Sequence, residues 1–126
     1  MINKKLQNRL YDLAIALSPV YKCHRCSHIA FLLKHNKIIH IGFNKVKTHP
    51  MLKYYPYYAT GIHAELDVVM KSNENDLSDY TLVVLRILKN KKLSMSKPCK
   101  SCQYIIKQYG INNCYYSDFS GKLIKL

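Results

Sequence analysis

No run of eighteen apolar residues occurs in the chain, so no membrane-spanning helix is expected. The first dozen residues are too polar for a secretory signal. Cysteine is sparse and odd in number, five in 126 residues. That argues against a disulfide scaffold and for a reducing compartment, and a cytoplasmic location is expected. Internal repeats and low-complexity linkers are absent, so residues 1–126 read as one domain, with 48% hydrophobic residues to build a proper core. Acidic residues are few, 7 against 20 lysines and arginines, for a net charge of +13. The imbalance invites a polyanionic partner. Arginine is scarce too, limited to Arg9, Arg25 and Arg86, whereas lysine, isoleucine, asparagine and tyrosine abound together. An AT-rich coding sequence would give the same usage, so composition alone leaves nucleic-acid binding open.

Two short stretches carry chemistry: His63-Ala64-Glu65 and Pro98-Cys99-Lys100-Ser101-Cys102. Cys99 and Cys102 are three apart and share one face of a helical turn. Pro98 suits a helix start, where the dipole favours thiolates. His63 opens another expected helix and supplies a neutral ligand. Two thiolates and an imidazole form a three-ligand set for Zn2+, leaving a fourth tetrahedral position open to water, as catalytic sites do. Zinc lowers the pKa of such water to about 7. Glu65 is read as the acid–base group, not a ligand. A lone C-x-x-C is common and His-Ala-Glu alone is nearly uninformative; their conjunction, in this order and on helix starts, is specific.

Leu6, Leu10, Leu13, Ala14 and Leu17 recur at helical spacing over residues 4–17. Cys23-His24-Arg25-Cys26-Ser27-His28 follows, readable as a second zinc site or as a loop with core-facing cysteines, the latter preferred. Residues 29–33 and 38–43 read as a hairpin with a polar turn between them, where Asn36 can take positive φ. The loop 45–62 is long enough to be functional or disordered. A helix opens at His63 and is broken at Ser72-Asn73. Residues 80–88 form a central strand, and 89–97 a basic loop. Cys102, Ile105, Ile106 and Tyr109 line the third helix, stopped by Gly110. Residues 113–117 and 122–126 are strands around a turn at Asp118-Phe119-Ser120-Gly121. The order α-β-β-α-β-α-β-β implies an α/β fold, a sheet sandwiched by helices. A parallel crossover needs about a dozen residues. The few between the last two strands predict an antiparallel hairpin.

The H-x-E and P-C-x-x-C pair, the strand end Gly42-Phe43-Asn44 and the topology together resemble the cytidine deaminase superfamily over nearly the whole chain. That superfamily holds free cytidine and deoxycytidylate deaminases, tRNA adenosine deaminases and polynucleotide cytidine editors. The resemblance implies a three-layer sandwich with a five-stranded mixed sheet and a zinc-dependent hydrolase. It implies roles for further residues. Asn44 would bond the sugar, or simply form a turn after its strand. The Ala64 N–H would contact the base carbonyl. The carbonyl of Lys97, where many relatives carry serine or threonine, would receive the exocyclic amine. Tyr116 would lie beside the base, or be a core tyrosine. Arg86, inside an apolar strand, must find a partner if buried; it could anchor a phosphate or brace a loop. Editors and tRNA enzymes typically place a helix between the last two strands, for which this chain has no room.

The first substrate reading is cytosine in a single-stranded polynucleotide, an editing activity. Lys45, Lys47, Lys91 and Lys92 would form a basic rim, and Tyr54, Tyr55, Tyr57 and Tyr58 could stack bases. A solvated face and biased composition would explain the same residues. The second reading is a free cytidine or deoxycytidylate deaminase of nucleotide metabolism. A third is a non-enzymatic nucleic-acid-binding module with Cys23, Cys26, Cys99 and Cys102 around a structural zinc, which leaves His63 and Glu65 unexplained. Adenine stays open as the target, and a homo-oligomer is compatible with all three readings.

Overall fold

Leu6, Leu10 and Ala14 fall on one face of helix α1 (Lys4–Leu17) and are all buried. Asn3 caps the helix, its Oδ1 accepting from the Leu6 N–H at 2.8 Å. The computed structural model describes residues 2–18, 26–44 and 63–126, the Cys26 side chain excepted. Among the described residues no helix is long and apolar enough to cross a membrane.

Strands β1 (Cys26–Lys34) and β2 (Lys37–Phe43) pair antiparallel. Their turn puts both His35 (φ 52°) and Asn36 (φ 63°) in the left-handed region, the pattern of a type I′ hairpin turn. β1 begins earlier than its apolar run predicts, because Cys26, Ser27 and His28 pair with Leu88, Ile87 and Arg86 of β3 (Thr81–Leu88). Backbone pairing carries the strand on where its side chains turn polar.

Helix α2 (Ala64–Ser72) follows β2, and Asn73 ends it in the left-handed conformation. β3 turns through Lys91 (φ 69°) into the two-residue strand β4 (Leu93–Ser94), which pairs back onto it. Helix α3 (Lys100–Gln108) then leads to β5 (Asn113–Ser117), parallel to β3, and β6 (Leu123–Lys125), antiparallel to β5. The main sheet order is β2-β1-β3-β5-β6. The mixed sheet and antiparallel final pair match the sequence expectation. β4 is an addition to the expected five strands, within the stretch read as a loop; two residues are too short to leave an alternation.

Side-chain alternation divides β3 between two cores. Leu82 and Val84 pack with Ala30, Leu32 and the inner faces of α2 and α3. Val83, Leu85 and Ile87 pack with α1 through Leu6, Leu10 and Ala14. The result is a three-layer sandwich, with α2 and α3 on one face and α1 on the other.

β2 and α2 approach unusually closely at Gly42. A Cβ there would lie 2.5 Å from the Val68 nitrogen and 2.7 Å from the Ala64 oxygen, both backbone atoms. The Phe43 N–H donates to Asp67 Oδ2 at 2.9 Å, and Lys71 Nζ holds the same carboxylate oxygen at 3.0 Å. Gly42→Ala should therefore push α2 off the sheet and destabilise by about 1–3 kcal/mol, the usual range of overpacking. Urea denaturation checks this; an unchanged midpoint would show that the contact can relax.

Candidate metal and catalytic site

Both helices on the inner face begin with a residue that does not cap its own helix. His63 is the N-cap of α2 and Cys99 the N-cap of α3, and neither makes a side-chain cap bond. Each nevertheless starts its helix through the backbone, His63 O accepting from Asp67 N at 3.0 Å and Cys99 O from Gln103 N at 2.8 Å. Their side chains turn to a shared point.

Buried serines seat the loop before Cys99. Ser96 Oγ donates to Val84 O on β3 at 2.7 Å and lies 2.9 Å from Ser117 Oγ on β5. Ser117 Oγ donates to Ser94 O at 2.6 Å, while Ser117 N–H donates to Ser96 Oγ and Ser96 N–H to Ser117 O. Beyond this clamp, Gln103 Nε2 donates back to Pro98 O at 2.8 Å. Neither Ser96 nor Ser117 carries a sequence signal for this role, since partners twenty-one residues apart meet only in the folded sheet.

His63 Nδ1 lies 3.5 Å from Cys99 Sγ and 3.4 Å from Cys102 Sγ. The three donor atoms all lie within 4.8 Å of one another. A tetrahedral ion with Zn–S of about 2.3 Å and Zn–N of about 2.0–2.1 Å sets an N···S edge of about 3.5 Å. The donor set therefore fits zinc in both chemistry and spacing.

Electrostatics agree with that fit. The Cys102 hydrogen bond, aided by His63 and opposed by burial, brings the Cys99 thiol down to about 4. The same contact with Cys99 raises the pKa of His63. A metal cation binds the deprotonated forms of these groups, so its uptake would release protons. Burial raises the Glu65 carboxyl, partly offset by its own backbone N–H, His63 and Cys102. Burial also pushes the Cys114 thiol up to about 12, with the Glu65 carboxylate adding to the effect. His28 is lowered to about 4, by burial first and then by the charges of Arg86 and His63.

The other expected site residues fall around this centre unequally. Ala64 opens α2 beside His63, where its N–H is one of the first-turn donors that the helix itself does not pair. Asn44 follows the last residue of β2; its Oδ1 accepts from His28 N at 3.0 Å, and its own N–H donates to His28 O at 3.3 Å. Tyr116 pairs with Val84 in register, which puts it on the sheet face under α2 and α3. Lys97 is exposed one residue before Pro98. Lys91 and Lys92 sit in the β3–β4 turn, and Lys91 Nζ donates to Ser18 Oγ at the end of α1. Lys45, Lys47, Tyr54, Tyr55, Tyr57, Tyr58 and Cys23 lie outside the described residues, as does the Cys26 side chain.

Residues 4–118 match the family model of the cytidine and deoxycytidylate deaminase zinc-binding region. The chain belongs to this family. It is a zinc-binding hydrolytic deaminase, with His63, Cys99 and Cys102 positioned to hold the ion. Among solved structures it is similar to the dCMP deaminase of the cyanophage S-TIM5 in complex with dCMP and dUMP. The TM-score is 0.65 at 20% identity, over 92% of this chain and 83% of that one. The apo form of that enzyme gives 0.62 at 17% identity, over 93% and 86%. Cytidine deaminase from Mycobacterium leprae gives 0.58 at 15%, over 94% and 91%. These likenesses are of fold. No curated protein matches the sequence significantly.

Replacing Cys99 or Cys102 by serine should release tightly bound zinc and lower the unfolding midpoint, since metal binding is folding free energy. Metal analysis should find one zinc per chain in the wild type and well under one in either variant. A Cys102→Ser protein that keeps full zinc would refute the donor set.

Proposed function

We propose that the protein hydrolyses cytosine to uracil and ammonia in a nucleotide, with Glu65 as the acid–base group. The observation that carries this is the placement of Glu65: it is only 4% exposed, two residues after His63, and its carboxyl pKa is raised by burial. A carboxylate tuned upward works as a proton shuttle near neutral pH. When bound, zinc supplies the Lewis acidity that brings water to a pKa of about 7. Glu65 takes one proton from the water and delivers it to the ring nitrogen, then carries a second, from the hydroxyl that the water has become, to the departing amine as the C–N bond breaks. The Ala64 N–H holds the base carbonyl, and the Lys97 carbonyl receives the leaving ammonia. Asn44, whose Oδ1 accepts from the His28 N–H of β1, contacts the sugar. Tyr116 stands beside the base on the sheet face.

The antiparallel β5–β6 hairpin favours a small nucleotide over a polynucleotide, as it omits the helix that editors and tRNA enzymes typically insert there. The polynucleotide reading keeps its own support: a net charge of +13 and exposed lysines at 89, 91, 92, 97 and 100 along the approach to Cys99.

Glu65→Ala should keep zinc yet lose about 10²–10⁴-fold in turnover, the usual contribution of an acid–base group. Full activity in that variant would end the mechanism. The zinc-loaded Glu65→Ala protein also separates the substrates. On the small-nucleotide reading its oligonucleotide affinity is weak, with a shallow salt dependence. A steep dependence, accumulating about −0.7 in log–log slope per phosphate contacted, would favour the strand.

A further inference from the structure

Arg86 breaks the apolar run of β3. Alternation puts it with Leu82 and Val84 on the sheet face under α2 and α3. Register sets it opposite His28 on β1 and Ser94 on β4. His28 is the residue whose backbone Asn44 grips, so Arg86, His28 and Asn44 share one corner. The Arg86 side chain is partly buried, and its Nε is buried without a hydrogen-bond partner among the described residues.

The chain holds no obvious counter-ion for it. Its seven acidic residues are Asp12, Glu65, Asp67, Glu74, Asp76, Asp79 and Asp118. All are described, and none is within ion-pair distance of Arg86; Asp67 is paired with Lys71. Proteins seldom bury a guanidinium donor without an acceptor, and a planar fork of donors is matched best by carboxylate or phosphate. Of the three parts of a cytosine nucleotide, only the phosphate is anionic. With the base at the His63–Cys99–Cys102 centre and the sugar at Asn44, the phosphate belongs near the Asn44–His28 corner.

We propose that Arg86 receives the 5′-phosphate of the substrate nucleotide, a role that rests on the deaminase reading above. A free nucleotide and a strand share this chemistry, and separate arms of one experiment tell them apart. The zinc-loaded wild type, Arg86→Gln and Arg86→Lys are assayed on deoxycytidine, deoxycytidylate and a short single-stranded oligonucleotide with one cytosine. Binding of deoxyuridylate and deoxyuridine is measured by calorimetry, independently of turnover.

The wild type should prefer deoxycytidylate to deoxycytidine by about 10- to 100-fold in kcat/KM, as expected for a charge-assisted contact. Arg86→Gln should remove that preference mainly through KM, leaving deoxycytidine turnover near wild type, and Arg86→Lys should keep part of it. A preference for the oligonucleotide that is likewise lost in Arg86→Gln would support the proposal with a phosphodiester as ligand.

Equal wild-type use of nucleoside and nucleotides would overturn the proposal, even if Arg86→Gln fails to fold. So would an equal loss on all substrates in a folded Arg86→Gln. Absence of turnover on every cytosine substrate would count against the deaminase reading instead. In that case, tighter wild-type binding of deoxyuridylate than deoxyuridine, abolished in Arg86→Gln, would still support the phosphate site, and equal binding would sink it.

Discussion

Everything in this fold answers to one requirement: two helix N-termini must open on the same point. His63 and Cys99 occupy N-cap positions without capping. An N-cap side chain is typically worth about 0.5–2 kcal/mol to a helix, and the protein forgoes it twice. In exchange both side chains turn outward, and the positive ends of the two helices favour the thiolates. β3 leads through β4 to the start of α3, the Gly42 contact fixes how deeply α2 sits, and the Ser96–Ser117 clamp fixes the approach to Cys99.

Environment then sorts chemically similar groups. Cys99 and Cys114 both lie near Glu65, yet one thiol is drawn down to about 4 and the other is pushed up to about 12. Cys99 gains hydrogen bonds from Cys102 and His63, whereas Cys114 lies buried in the apolar core on β5. The donor set itself is defined by geometry, since the atoms that cluster are those of His63, Cys99 and Cys102.

Much of this was legible in the sequence because it was local. The spacing of Cys99 and Cys102, the period of Leu6, Leu10 and Ala14, and the short span from Ser117 to Leu123 each constrain structure by themselves. What escaped the reading depends on partners far along the chain. β4 exists only because Ser94 finds Arg86 across a turn, and β1 is extended only because Cys26, Ser27 and His28 find β3. The serine clamp is the sharpest instance, since a serine two positions before Pro98 looks like any loop serine.

That clamp has a consequence for biosynthesis. Chains leave the ribosome at about 5–20 residues per second, N-terminus first. Cys99 and Cys102 therefore emerge before Ser117, the residue whose hydroxyl and backbone seat their loop. During that interval the ligand-bearing loop lacks its anchor on β5, and the parallel pairing that completes the central sheet has not formed. The nascent chain thus presents its thiols first and acquires the frame that aims them only when the following strand arrives.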